Sequence, residues 1–359
     1  MTMGTPTLDI EAPREELLRR LEGVCDEQGA DDAGARVAEL RAWIESDLDE
    51  VRRSLATVDV AADTPMHRAS DHLLQLQGKL LRPICVALAA RVGTGFDTHA
   101  RELAVAAELV HNATLLHDDV VDLGDTRRGR PAARLVYGNA ASIYAGDWLL
   151  VQALERIART PFPELLHRAI GVLKQMLVAE SLQLARRGKS DSHSTTYFEI
   201  VEGKTASLFR WALYAGARAG GVSESGREAL ESFGNHVGIA FQLVDDVLDL
   251  GGSDEDIGKN LFADLREGKA TYPLLLAFER DPTFRRWYSS NGIGGAAASE
   301  LETAQRTARA LHDTHALDDC LKLAARRSAE AIECLSVLPV SRARTALEDI
   351  ARALVERRK

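Results

Sequence analysis

The 359-residue sequence is poor in aromatic side chains, which make up only 5% of the chain. Because aromatic and β-branched residues favour strands, a chain rich in alanine and leucine favours helices instead. Proline is absent between Pro163 and Pro273, and that interval carries apolar residues at helical spacing, as in LLHRAIGVLKQMLVAESLQLARR. No segment alternates apolar and polar residues between hairpin turns. The sequence therefore predicts an all-α protein.

Cysteine and long apolar runs are also scarce. The four cysteines are scattered without a C-x-x-C pair, which argues against a disulfide framework or a zinc site and indicates a reducing compartment. The first residues lack the basic and apolar regions of a signal peptide, and no run of about 18 apolar residues predicts a membrane span. We therefore expect a cytoplasmic protein.

The net charge of −10 excludes a strongly basic surface. Such a balance disfavours nucleic acid as a partner. It also means that an anionic substrate would need local basic groups to overcome the overall field of the protein.

Against this background, the segment LLHDDVVDLGDTRRGRP (115–131) places three aspartates among leucines and valines. In a helix, Asp122 would neighbour Asp118 at i+4 and Asp119 at i+3, and like charges at those spacings cost about 0.2–0.5 kcal/mol per pair. A solvated charged face would be the ordinary explanation. However, the D-D-x-x-D pattern recurs in the similar segment QLVDDVLDL (242–250), which that explanation does not account for.

The two acidic segments together predict a metal site. Facing each other across a helical bundle, they would supply oxygen ligands for a hard cation such as Mg²⁺. Neither has the spacing of a calcium-binding EF-hand loop. Mg²⁺ prefers a few carboxylates together with phosphate oxygens, and the sequence supplies basic residues suited to phosphate: Lys79, Arg82, Arg127, Arg128, Lys204, Lys259 and Lys269. Because both segments must serve one site, residues 41–359 are expected to form one domain, after an extension (1–40) that is helical or partly disordered.

Five motifs resemble the trans-isoprenyl diphosphate synthases (polyprenyl synthetases), in this order: DDVVDLGDTRRGRP, GNAASIYAGDWLL, EGKTASLF, FQLVDDVLDL and GKNLFADLREGKATYPLL. The resemblance runs from about residue 65 to the end of the chain. It implies an all-α, isoprenoid-synthase-type helical bundle around a deep central cavity, usually in a homodimer. It also implies a Mg²⁺-dependent, head-to-tail condensation of isopentenyl diphosphate with an allylic diphosphate.

The resemblance also implies roles for individual residues. Asp118, Asp122 and Asp245 would ligate about three Mg²⁺ ions, and Asp119, Asp246 and Asp249 would support them, directly or through water. The positions that match the allylic diphosphate pocket are Arg127, Lys204, Thr205, Gln242, Lys259 and Lys269. Those that match the isopentenyl diphosphate pocket are Lys79, Arg82, His111 and Arg128. The expected catalytic residues are Asp118, Asp119, Asp122, Arg127, Lys204, Asp245 and Asp246, and the departing diphosphate would accept the proton that is lost.

The residues before the first acidic segment bear on the length of the product. Ala113 and Thr114 precede Asp118 by five and four residues, where short-chain members of the family carry a bulky aromatic residue. Val110, Leu109 and Ala106 lie deeper along the same helix. The small side chains predict an open tunnel and a medium- to long-chain product, although they would also permit close helix packing.

Three alternatives remain open at this point. A short-chain synthase (farnesyl or geranylgeranyl diphosphate) would have its floor on another helix. A terpene cyclase would usually lack the residues Lys79, Arg82 and His111. A non-catalytic subunit of a heteromeric synthase would typically have lost one aspartate triplet, and both are intact here.

Overall fold

The computed structural model describes residues 31–58, 63–76, 78–190, 193–251, 262–291 and 299–356. Helices dominate these ranges, so the predicted all-α fold is confirmed. Their bounds are α1 (Asp31–Ala56), α2 (Pro65–Gln75), α3 (Leu81–Arg91), α4 (Thr98–Val121), α5 (Ala133–Tyr137), α6 (Asn139–Ala158), α7 (Pro163–Arg186), α8 (Ser194–Val201), α9 (Ser207–Ala219), α10 (Glu224–Leu250), α11 (Ala263–Arg266), α12 (Tyr272–Arg280), α13 (Pro282–Asn291), α14 (Glu300–Asp313), α15 (Ala316–Cys334) and α16 (Arg342–Glu356). None of these helices has both the length and the apolar character needed to cross a bilayer.

Three short elements complete the described chain. A π-helical turn, Glu202–Ala206, joins α8 to α9 without a break. A 3₁₀ turn, Leu335–Val337, follows α15. Strands β1 (Thr126–Arg127) and β2 (Arg130–Pro131) form a two-residue antiparallel ladder directly after α4.

The helices begin where the local sequence satisfies their free N–H groups. Asp97 caps α4 by accepting the Ala100 N–H at 2.8 Å, and Ser223 caps α10 by accepting the Gly226 N–H at 3.3 Å. Pro163 occupies the first turn of α7, where a missing N–H costs nothing. The capping residues thereby fix the start of both helices that carry acidic segments.

The helices α4 and α6 run antiparallel through the larger buried cluster. Arg156 pairs with Glu102 at 2.7 Å near one end of the contact, and His117 lies 3.2 Å from Asp147 near the other. The helix α10 contributes apolar side chains to both buried clusters and packs against α9 and α15. Both acidic segments therefore stand on helices that the core holds firmly.

The predicted boundary at residue 40 falls within a helix. Helix α1 starts at Asp31, and its apolar side chains Leu40, Ile44 and Leu48 are buried. Arg91 of α3 donates two hydrogen bonds to Asp47 of α1, at 2.7 and 2.8 Å. The segment from residue 40 onward is thus part of the bundle, while residues 1–30 lie outside the described residues.

Candidate active site

A cavity of about 330 Å³ opens beside the C-terminal ends of the two helices that carry the acidic segments. Its wall combines acidic side chains, basic side chains and a few apolar ones. Among the predicted residues, those that line it are Asp118, Asp122, Arg127, Lys204, Thr205, Gln242, Asp246 and Lys269. The fold thus gathers these residues from four distant parts of the sequence around one space.

Asp118 faces the cavity from the last turn of α4. The ammonium group of Lys204 lies 3.6 Å from its carboxylate. Lys204 also pairs with Glu180 of α7 and donates a hydrogen bond to Gln183 at 3.3 Å. The lysine therefore sits between two acidic groups on opposite walls.

Asp122 is the residue that ends α4, and both of its carboxylate oxygens are occupied by cations. Lys269 lies 3.0 Å from one oxygen, and the guanidinium of Arg187 pairs with the other. Lys269 also pairs with Glu267, and the neighbouring acidic groups raise its pKa although burial opposes this. Its positive charge is therefore secure at neutral pH.

Asp119 is buried and turned away from its two acidic neighbours. The β1–β2 hairpin brings Arg127 back over the end of α4, where its Nε donates to Asp119 at 2.9 Å. Burial raises the pKa of this carboxyl group, and the arginine opposes the shift. Its second oxygen, Oδ2, is buried without a hydrogen-bond partner in the described structure.

Asp246 of the second segment is almost fully buried and accepts three hydrogen bonds. The donors are the hydroxyl group of Tyr197 at 2.7 Å, the amide of Gln242 at 2.9 Å and the backbone N–H of Tyr272 at 3.2 Å. Burial, with Asp264 nearby, raises the pKa of Asp246 to about 7. The group thus carries a proton far more readily than an exposed aspartate does.

The other two aspartates of this segment differ in their surroundings. Asp249 accepts the backbone N–H groups of Ala263 and Asp264 at 3.0 and 3.1 Å, and burial raises its pKa to about 6. Asp245 is half-buried, and its charge acts on Arg82. Neither side chain lines the cavity itself.

A second cluster of basic side chains lies where α3, α4 and the hairpin meet. Arg82 stacks on the ring of Phe209 with its guanidinium carbon 4.9 Å from the centroid. Burial, together with Arg82 and Arg128, holds the pKa of His111 well below its ordinary value. The imidazole is therefore neutral and offers one donor and one acceptor. Arg128 approaches from the hairpin and donates to the backbone oxygen of Leu76.

The sequence profile of the family described as polyprenyl synthetase matches residues 63–306. A crystal structure of a polyprenyl synthase from Caulobacter crescentus CB15, complexed with calcium and isoprenyl diphosphate, superposes with a TM-score of 0.83 at 38% identity, covering 89% of this chain and 97% of that one. The chain belongs to the polyprenyl synthetase family. The predicted isoprenoid-synthase-type fold and prenyltransferase activity are thereby confirmed.

Relatives within the family make products of different lengths. Heptaprenyl diphosphate synthase component 2 of Geobacillus stearothermophilus is 34% identical over 86% of this chain and 95% of its own length. A geranylgeranyl diphosphate synthase of Methanosarcina mazei is 35% identical over 86% of this chain and 98% of its own length. Because the chain is about equally similar to both kinds of enzyme, sequence identity does not indicate the length of its product.

The family works with a divalent metal, and the donor set here suits one. Carboxylate oxygens dominate, as hard cations require. The buried Oδ2 of Asp119 has no hydrogen-bond partner among the described residues, so it could accept a cation. No three acidic, histidine or cysteine side chains of the described residues form a complete metal-binding group. Mg²⁺ often takes only one or two carboxylates and completes its shell with water and phosphate oxygens, so the residues fit this ion.

Three further candidates for functional residues were not predicted from the sequence: Glu108, Asn112 and Arg187. Glu108 is buried beside Arg82 and Arg128, which lower the pKa that burial raises. Asn112 connects these groups, since its amide lies 3.4 Å from the Glu108 carboxylate and its oxygen lies 3.5 Å from Arg128. The acidic residue within the apolar stretch AVAAELVHNATLL was the signal for Glu108. Arg187, next to Asp122, has no comparable signal.

The π-helical turn explains how Lys204 and Thr205 reach the cavity. A π turn holds one residue more than an α turn and often occurs at functional sites. Gly203 permits it here, because a Cβ atom at this position would lie 2.8 Å from the Cβ of Ala179 on α7. Thr205 then donates to Gln242 at 3.0 Å and links the turn to α10.

Two of the predicted diphosphate-binding residues, Lys79 and Lys259, remain. Lys79 is half-buried in the loop before α3, next to Leu80, whose backbone is left-handed with φ 51°. A leucine in that conformation is strained by about 1–2 kcal/mol. Lys259 lies outside the described residues.

The five residues predicted to set product length are mostly packed. Ala106, Leu109 and Ala113 have no exposed surface, and Val110 has 3%. Ala113 lies on the face of α4 that also carries His117 and contacts α6. Thr114 is half-buried on the neighbouring face, one turn behind Asp118. In this conformation only Thr114 among the five has substantial accessible surface, and a role of the others in product length stays a prediction.

Proposed function

We propose that the protein condenses isopentenyl diphosphate with an allylic diphosphate, head to tail and with Mg²⁺, to an all-trans polyprenyl diphosphate of medium to long chain. The observation that carries this proposal is the presence of two clusters of basic side chains of different character. One is interleaved with the acidic segments, and the other, around Arg82 and Arg128, is backed by the single buried carboxylate of Glu108. Two such clusters suit two diphosphates, one of which must ionise.

The allylic diphosphate binds in the acidic pocket. Asp118, Asp122, Asp245 and Asp249 would hold about three Mg²⁺ ions, which neutralise the charge that grows on the leaving diphosphate. Lys204 and Lys269 are placed to bind its oxygens as point charges, and Arg127 adds a planar fork. Thr205 and Gln242 offer hydrogen bonds from the adjacent wall; the sequence adds Lys259.

Isopentenyl diphosphate binds at the second cluster. Arg82 and Arg128 neutralise its charge, and Lys79 lies in the adjoining loop. His111 remains neutral there, so it donates a hydrogen bond to a diphosphate oxygen rather than adding a charge. The double bond attacks the allylic cation, and the proton that is lost passes to the released diphosphate. No protein base is needed.

The reaction is tested by incubating the purified protein with isopentenyl diphosphate, Mg²⁺ and primers of ten, fifteen or twenty carbons, and sizing the products. All-trans products longer than twenty carbons support the proposal. The two clusters are tested separately: Arg82→Gln should raise the KM mainly for isopentenyl diphosphate, and Lys204→Gln mainly for the primer. Equal effects of both substitutions on both substrates would contradict the assignment.

A short-chain product is the second candidate, and the packing of α4 on α6 favours it. With Ala113 and Ala106 fully covered, a long tail needs these two helices to separate along their contact. Products that stop at fifteen or twenty carbons in the same assay would identify a short-chain synthase.

A homodimer is proposed as the working form. Exposed apolar side chains form a stripe along α6 and α7, and large patches of this kind mark interaction surfaces; they are Ile143, Tyr144, Val151, Ile170, Leu177 and Val178. A two-fold axis would let the same stripe cover itself. Light scattering on the wild type should give twice the chain mass, and Leu177→Glu should give the monomer. An inactive wild-type monomer would point instead to a heteromeric enzyme.

A further inference from the structure

Arg187 is a cation beside the acidic pocket that no motif of the sequence explains. It is the first residue after α7, and its guanidinium pairs with one oxygen of Asp122 while Lys269 holds the other at 3.0 Å. Both oxygens of a predicted metal ligand are thus covered by positive charge. A divalent cation that binds this carboxylate would meet the positive charge of both basic groups.

The segment that carries Arg187 is anchored to the one that carries Lys269. The N–H of Gly188 donates to the backbone oxygen of Gly268 at 2.8 Å. Gly268 has φ +73°, and a Cβ atom there would lie 3.1 Å from the nitrogen of Gly188, so the two strands of backbone cross closely. The cations therefore approach Asp122 from a shared support rather than from independent loops.

The guanidinium of Arg187 has unused capacity in this position. Its Nε is buried and has no hydrogen-bond partner among the described residues. A second terminal nitrogen makes only a long contact, 3.5 Å, with the backbone oxygen of Val121. Arginine forks bind diphosphate oxygens through two parallel N–H groups, and the preceding residue, Arg186, already lines the cavity.

We propose that Arg187 is a diphosphate-binding residue that is stored on Asp122 until metal arrives. Without metal it neutralises the carboxylate. When a divalent cation binds Asp122, repulsion between the two positive charges displaces Arg187, which then binds the allylic diphosphate that the same metal attracts. Metal and substrate are thereby coupled through one side chain. This inference rests on the proposed function of the pocket.

The test compares Arg187→Gln with Arg168→Gln. Arg168 is a matched control because it lies on α7, the helix that Arg187 directly follows, and is held by Glu231 at 3.1 Å, away from the cavity. Titration calorimetry with Mg²⁺ alone measures metal binding without substrate. Steady-state kinetics at saturating Mg²⁺ then measures the KM for the allylic primer.

The proposal requires opposite shifts in the two measurements. Loss of the competing cation should tighten Mg²⁺ binding about threefold or more, while loss of the fork should raise the KM of the primer by a similar factor. Arg168→Gln should change neither. If the ion pair of Arg187 with Asp122 is merely structural, Arg187→Gln should weaken the binding of both Mg²⁺ and the primer. Weaker or unchanged Mg²⁺ binding, or an unchanged KM for the primer, overturns the proposal. Failure of the proposed function is recognised separately, as a wild type that makes no prenyl product.

Discussion

The hydroxyl group of Tyr197 donates a 2.7 Å hydrogen bond to Asp246, which ties helix α8 to the second acidic segment on α10. Gln242 donates to the same carboxylate at 2.9 Å and accepts from Thr205 of the π turn at 3.0 Å. Asp246 is therefore saturated by protein donors. Through Gln242, it helps to hold the turn that carries Lys204 against α10.

Replacing Tyr197 with phenylalanine removes this bond while keeping the ring. Because a buried carboxylate then loses a donor, the free energy of unfolding should fall by about 1–3 kcal/mol. Tyr272→Phe is the control, since Tyr272 reaches Asp246 through its backbone N–H. Urea unfolding measures both variants. Equal stability of Tyr197→Phe and wild type would mean that the bond contributes nothing.

Asp122→Asn should lower turnover strongly and also weaken the metal-free fold. From the sequence alone, removing an aspartate from this cluster should relieve repulsion. In the structure Asp122 is instead neutralised by Lys269 and Arg187, so its loss leaves two cations facing each other and should cost about 1–3 kcal/mol. Turnover should fall by about two orders of magnitude or more. Asp125→Asn, which breaks an exposed pair with Arg134, should leave the melting temperature unchanged.

Glu108→Gln should destabilise the protein in a way that substrate repairs. The substitution removes the buried counter-charge of Arg82 and Arg128 and should cost about 3–5 kcal/mol, as when one partner of a buried pair is lost. Isopentenyl diphosphate alone should then raise the melting temperature more than it does in the wild type, because it supplies the missing charge. Glu231→Gln, at a half-exposed pair, should cost at most about 1 kcal/mol. An unaltered ligand-induced shift in Glu108→Gln would refute this account.

His111 should impose an acid limit on stability. Its pKa in the folded chain lies well below the ordinary value, so the unfolded chain binds a proton below about pH 6.5 that the folded chain does not. Stability contributed by the neutral imidazole is therefore lost as pH falls, by up to about 1.4 kcal/mol per pH unit. Denaturant unfolding of wild type and His111→Gln should give a stability difference that is constant above about pH 7.5 and declines below about pH 6.5. A pH-independent difference would show that His111 titrates normally.

Product length can be tested at two adjacent positions of α4. Thr114 has accessible surface one turn behind Asp118, so Thr114→Phe should shorten the product without loss of stability. Ala113 has none, so Ala113→Phe should overpack the contact with α6 and lower stability by about 1–3 kcal/mol. Product sizing and thermal melts distinguish the two effects. A stable Ala113→Phe enzyme with shortened products would show that the helices separate to form a tunnel.

The sequence predicted the all-α fold, whereas the roles of the acidic residues stay predictions. The repeated D-D-x-x-D pattern within apolar runs was enough to place Asp118 and Asp246 near the ends of two core helices. Arg187 could not be found in this way, because it depends on a backbone crossing at Gly188 and Gly268, far apart in sequence. The packing of Ala113 could not be predicted from the sequence either, since a small residue fits both a tunnel wall and a close helix contact.

Because of the π turn at Glu202–Ala206, a mutation could remove the activity and still leave the fold intact. Because such a turn holds one residue more than an α turn, loss of a single codon within it would let α8 and α9 continue as one regular helix with their apolar faces still in register. Lys204 and Thr205 would no longer point at the acidic segments. One small deletion could thus convert this gene into one for a folded, inactive paralogue, with every aspartate still in place.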